Sequence, residues 1–166
     1  MFMDKKKYQN IDAGLTLVEV LIATSIILVF LLALFTVHNL YLKSAFSNLA
    51  SVKGTFLVEE GLEAVRFLRD VSWSTNIEPL SVDADHGLIF SSGTWQVTEN
   101  PDYTDGIFER SLTFSEVYRD AGSDIVSSGG TIDEDTKLVT VSVSWRDSSA
   151  TSTKSISTYI TNILDN

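Results

Sequence analysis

No cysteine occurs in the 166 residues, and the run from Val20 to Val37 contains no charge, no proline and no glycine. The first absence excludes a disulfide framework, a thiolate zinc site and a cysteine nucleophile. Histidine is nearly as scarce, being limited to His38 and His86, and neither sits in a Ser/His/Asp or metal-ligand constellation. Both are expected at an interface or on the surface. Basic charge is in deficit too, with 12 Lys and Arg against 22 Asp and Glu and a formal net charge of −10. Such a surface is repelled by phosphate, which argues against nucleic acid as a partner and against anionic lipid binding through the soluble part. The length suits one modest domain plus an appended helix, with no room for a second catalytic domain.

The charge-free run is the main feature that is present. Its 18 residues span about 27 Å as a helix, close to a ~30 Å hydrocarbon core, and Leu15 to Val18 extend it. The preceding residues are polar and include Lys5, Lys6 and Lys7, which places this short flank in the cytoplasm and the C-terminal part outside. An ordinary secretory signal has a shorter apolar core followed by a small-residue cleavage site, whereas here the run continues into Val37-His38-Asn39-Leu40. A plain membrane anchor explains the length and the lysines but not Glu19. A carboxylate at membrane depth costs several kcal/mol unless it is partnered. The bland alternative is that Glu19 lies at headgroup level and reaches water.

The stretch Gly14-Leu15-Thr16-Leu17-Val18-Glu19-Val20, behind a basic leader and ahead of an uninterrupted apolar helix, resembles the processing signal of type IV prepilins and type II secretion pseudopilins. That resemblance implies a leader of residues 1–14, cleavage between Gly14 and Leu15 by a prepilin peptidase, and methylation of the new Leu15 amine. Glu19 would become the fifth residue of the mature chain, where it would partner a Leu15 amine and set subunit register during assembly. The partners implied are other pilin subunits, the peptidase, an assembly platform in the inner membrane and, before assembly, the lipid bilayer. No cofactor is implied. Leu15 stands where phenylalanine is usual, and Thr36 stands where many major pilins have proline. The lack of cysteine loops is similar to minor pilins and minor pseudopilins. A rival of another class is an unprocessed, membrane-tethered extracytoplasmic binding domain.

Physical reasons accompany the motif. Glycine before the scissile bond lets an extended backbone enter a narrow site. A helix that is apolar all round can exchange lipid for like helices at little cost, because both surroundings lack water.

Beyond the anchor of residues 15–38, an amphipathic helix is expected over 39–72. Phe46, Leu49, Val52 and Phe56 lead an apolar stripe into Leu57, Val58, Gly61, Leu62, Ala64, Val65 and Leu68, with Glu59, Glu60, Glu63, Arg66, Arg69 and Asp70 opposite. Gly54 and Gly61 each weaken this helix by about 1 kcal/mol relative to alanine. Residues 73–166 switch to strand patterning. In Leu138–Trp145, Val139, Val141, Val143 and Trp145 share one face and Thr140, Ser142 and Ser144 the other. Further strands are expected at 88–90, 94–98, 108–116 and 155–163, with loops at Pro101–Gly106 and Arg146–Ala150. The expected fold is α+β, with an antiparallel sheet laid on the C-terminal half of a long N-terminal helix.

Other chemistry is weaker. Asp120, Asp124, Asp133, Glu134 and Asp135 lie in a Gly/Ser-rich stretch that reads as a solvated loop more readily than as a calcium site, since no EF-hand order is present. Gly129-Gly130 lacks the setting of a phosphate loop and reads as a turn. Trp73, Trp95 and Trp145 read as core or sheet-face residues before a ligand platform. No catalytic or metal site is expected.

Overall fold

The structure, a computed structural model, describes residues 16–147 and 150–164. Gly14 and Leu15, the expected processing pair, lie outside the described residues. The fold is α+β. Among the described residues, helix α1 covers Leu17–Val71, a one-turn helix α2 covers Trp73–Asn76, and seven antiparallel strands follow. By its contacts the chain forms two units, Met1–Ala45 and Phe46–Asn166. In the first, the described part is helix alone.

The second unit joins the C-terminal part of α1 to the sheet. The strands are β1 (Asp85–Ser91), β2 (Thr94–Thr98), β3 (Asp102–Thr104), β4 (Phe108–Arg119), β5 (Ile125–Val126), β6 (Thr131–Asp147) and β7 (Ala150–Thr161). The main path runs β2-β1-β4-β6-β7, with β3 and β5 also paired to β4. Alternation fixes which face is buried. Val139, Val141 and Val143 on β6 are fully buried, as are Leu112 and Phe114 on β4, all against Leu57, Val58, Leu62, Val65 and Leu68 of α1. On the wet face, hydroxyls pair across β6 and β7, Thr140 with Ser157 at 2.8 Å and Ser142 with Ser155 at 2.9 Å. The two-residue loop Ser92-Gly93 between β1 and β2 has φ of 54° and 83°, the left-handed pair that a tight hairpin of this twist requires.

The structure departs from the sequence expectations in several places. Pro101–Gly106, expected as a loop, contains β3, because Asp102–Thr104 pairs with the start of β4. Strand β6 begins at Thr131, so Asp133, Glu134 and Asp135 belong to a strand; a register shift at Glu116/Val117 lets β4 and β6 keep pairing through this polar segment. Gly54 and Gly61 are contact points. A Cβ on Gly54 would lie 2.5 Å from Trp145 Cζ3, and one on Gly61 would lie 2.8 Å from Val141 Cγ1. The helix therefore gives up intrinsic propensity for close approach to the sheet.

Candidate functional site

The motif residues within the described part open α1. Glu19 Oε2 accepts from the Thr16 backbone N–H at 3.3 Å and from the Thr16 hydroxyl at 3.4 Å, while Glu19 N–H donates to Thr16 Oγ1 at 3.3 Å. This reciprocal pattern is a capping box, in which two side chains satisfy backbone donors that the first helical turn leaves unpaired. A Thr three residues ahead of a Glu before an apolar run is its sequence signature. Capping is thus a role of Glu19 separate from the register role that the motif resemblance implies. Both residues are exposed in the isolated chain.

From Val20 to Val37 the helix shows apolar side chains on every side. Its hydroxyls return to their own backbone: Thr24 donates to Val20 O at 2.9 Å, Ser25 to Leu21 O at 2.7 Å and Thr36 to Leu32 O at 2.9 Å. Each hydroxyl between Val20 and Val37 is thus hydrogen-bonded within the helix, which lowers the cost of placing it in hydrocarbon. Among the described residues, α1 is the one helix long and apolar enough to cross a membrane, and its most apolar window is wholly unburied. This is compatible with a single-pass membrane protein.

Within the second unit, the apolar stripe expected from sequence divides in two. Leu57, Val58, Leu62, Ala64, Val65 and Leu68 are buried under the sheet, whereas Phe46, Leu49, Val52 and Phe56 are 68%, 64%, 53% and 64% exposed. At about 100° per residue, Leu49, Val52 and Phe56 turn to the side of the helix away from the sheet, and Phe67 follows on the same side. Leu49, Val52 and Phe56 thus remain exposed beyond the charge-free run of Val20 to Val37.

The remaining candidates are structural in character. His86, expected at an interface or on the surface, is buried: its Nε2–H donates to Ser81 O at 2.9 Å, and its ring meets Phe114 edge-on at 5.8 Å. His38 is exposed on α1. Asp120 Oδ1 accepts from the N–H groups of Gly122 and Asp124, which closes a tight loop around its own backbone. Asp133 accepts from Arg119, and that hydrogen bond holds its carboxyl below the usual carboxylate range, against the upward push of partial burial. Asp135 receives Asn162 through its backbone carbonyl at 2.8 Å. Among the described residues, no three His, Asp or Glu side chains converge as metal ligands. Trp73 and Trp145 are core residues, while Trp95 is only half-buried.

One buried ionic residue was missed from sequence. Arg110 lies on the core face of β4 between Phe108 and Leu112, 3% exposed. It donates from Nη1 to Glu60 Oε2 at 2.9 Å and from Nη2 to the Leu88 carbonyl at 3.0 Å, and it stacks 5.3 Å from the Trp95 ring centre. The signal was available: with strict alternation, position 110 falls on the face of Phe108 and Leu112.

No protein-family model matches the chain, and comparison with curated proteins and with solved structures found no match. The functional reading therefore rests on the residues themselves.

Proposed function

We propose that this chain is a structural subunit, of the minor kind, of a type IV pilus-like filament. In this reading the precursor inserts with Lys5, Lys6 and Lys7 in the cytoplasm, and a prepilin peptidase cuts after Gly14 and methylates Leu15. The apolar helix anchors the subunit in the inner membrane with its sheet domain outside. It is then drawn by the assembly platform from lipid into a bundle of like helices in an extracytoplasmic filament. Glu19 caps its own helix in the isolated subunit and turns to the Leu15 amine of a neighbour on assembly. Buried among apolar helices, that charge would be tolerated only in the register that supplies the cation.

The observation that carries the reading is the exposed row Leu49, Val52 and Phe56. A tethered binding domain needs one apolar segment to hold it in the membrane and has no use for a second apolar face beyond it. A subunit whose helix packs against other helices along much of its length needs both. The processing motif supplies the rest of the support.

The test is co-expression with a prepilin peptidase in a host that assembles such filaments. A chain beginning at methylated Leu15, with processing abolished in Gly14→Ala, is expected. Glu19→Gln separates the two roles of Glu19, because the amide oxygen can still close the capping box but carries no charge. The proposal expects Glu19→Gln to be cut normally and yet fail to enter filaments. A chain that keeps residues 1–14 beside an active peptidase would instead support a tethered domain.

A further inference from the structure

On the second unit, beside α1, strands β1, β2 and β3 border an open groove of about 360 Å³. We propose that this groove is a binding site for a neutral sugar ring. The inference is independent of filament assembly and concerns only the second unit.

Three aromatic side chains border it. Phe90 and Trp95 are cross-strand partners in the β1–β2 hairpin and meet edge to face, with ring centroids 5.3 Å apart. Tyr103 comes from β3. Phe90 and Tyr103 are 63% and 64% exposed, so much of each ring's surface is open to the groove. Trp95 is also held in place. Arg110 backs the Trp95 ring, and Glu60 and the Leu88 carbonyl hold its guanidinium from below. A site held this way loses little freedom when a ligand arrives.

Charge selects the ligand class. The two carboxylates on the groove are already neutralised: Glu60 by Arg110, and Asp105 by Lys53 at 2.9 Å. A cationic ligand would have to compete with Arg110 and Lys53 for these carboxylates, leaving it only the ring faces. An anion would find the guanidinium buried and both of its terminal nitrogens engaged. What remains is a set of apolar ring faces beside oriented polar groups whose net charge is nil. A pyranose ring matches this pattern, with a C–H face to lie on Phe90, Trp95 or Tyr103 and hydroxyls to reach the oxygens of Glu60 and Asp105. The groove volume is within the usual range of ~300–1,000 Å³ for small-ligand sites.

The chain carries its own reporter. Trp73 and Trp145 are 3% and 4% exposed, so iodide quenching of tryptophan fluorescence is dominated by Trp95. The full chain, in a detergent without sugar headgroups, is titrated with tetrasaccharides of β-1,4-glucose, β-1,4-N-acetylglucosamine and α-1,4-glucose, with tetralysine and tetraglutamate as charged controls. At least one neutral oligosaccharide is expected to protect Trp95 saturably in the millimolar range. Phe90→Ala and Tyr103→Ala should each weaken that binding about tenfold, the equivalent of one lost ring contact, while each variant still unfolds cooperatively above the assay temperature. Three results would overturn the proposal: no protection by any neutral oligosaccharide up to about 10 mM, protection by tetralysine or tetraglutamate equal to that of the sugars, or protection that survives in both variants.

Discussion

Arg110 and Glu60, 50 residues apart in sequence, meet at 2.9 Å and tie strand β4 to helix α1. The arginine is almost wholly buried while the glutamate side chain is 48% exposed, so the pair joins a desolvated cation to a partly solvated anion. Removing the glutamate leaves a buried charge without its partner. A fully buried case costs about 3–5 kcal/mol, and exposure of Glu60 reduces it. Glu60→Ala is expected to destabilise the second unit by about 1–2 kcal/mol, and Glu60→Gln, which keeps an acceptor oxygen, by less. Thermal unfolding followed by near-ultraviolet circular dichroism checks both.

Gly54 and Trp145 give a coupled prediction. Alanine at Gly54 gains up to about 1 kcal/mol of helix propensity but collides with the indole, a rigid group in the core, at a cost of about 1–3 kcal/mol. Gly54→Ala should therefore be destabilising by itself. Trp145→Phe vacates the outer ring that the new methyl meets, so the double variant should be more stable than the sum of the single changes. A double-mutant cycle by denaturant unfolding reads this coupling directly.

The exposed row on α1 separates assembly from folding. Leu49→Ser and Phe56→Ser change side chains that are 64% exposed, so the unfolding temperature of the isolated chain should move by no more than about 0.5 kcal/mol equivalent. Incorporation into filaments, scored by immunoblot of the sheared fraction, should fall sharply. Normal incorporation of the double variant would count against an assembly role for this face.

Two groups give pH signatures outside the membrane segment. The Arg119 hydrogen bond holds Asp133 below the usual carboxylate range. Its stabilising contribution is fully present above the unfolded value and is lost as pH falls through the lower folded one. Asp133→Asn should remove that part of the acid sensitivity, measured as unfolding temperature against pH.

Tyr118 donates its hydroxyl to Glu116 at 2.8 Å, and this bond together with the nearby carboxylate charge pushes its ionisation above the usual tyrosine range. The phenol should stay neutral to higher pH than a free tyrosine and give up this contact only as pH rises through its folded value. Glu116→Gln should bring the ultraviolet titration of tyrosinate back towards the ordinary midpoint.

Much of the architecture was legible because period and run length are local properties. Val139, Val141, Val143 and Trp145 declare a buried strand face by alternation alone. The boundaries were less legible. Asp133, Glu134 and Asp135 read as part of a solvated acidic loop, yet they lie within β6, because β4 resumes pairing with residues 131–133 beyond a register shift and Asp133 meets Arg119. His86 looked peripheral because its carbonyl partner at Ser81 and its ring partner Phe114 have no signature in sequence.

The sequence by itself determined an α+β chain with one long N-terminal helix apolar enough for a membrane, because these follow from composition and from periods of 2 and 3.6 residues. It also carried the Thr16–Glu19 cap, a contact of residues three apart. Only the tertiary structure decided which half of the apolar stripe the sheet covers, why α1 has glycine at 54 and 61, and that Arg110 enters the core. Each of these depends on where a helix and a strand far apart in sequence come to lie against one another, and local propensity holds no information about that distance.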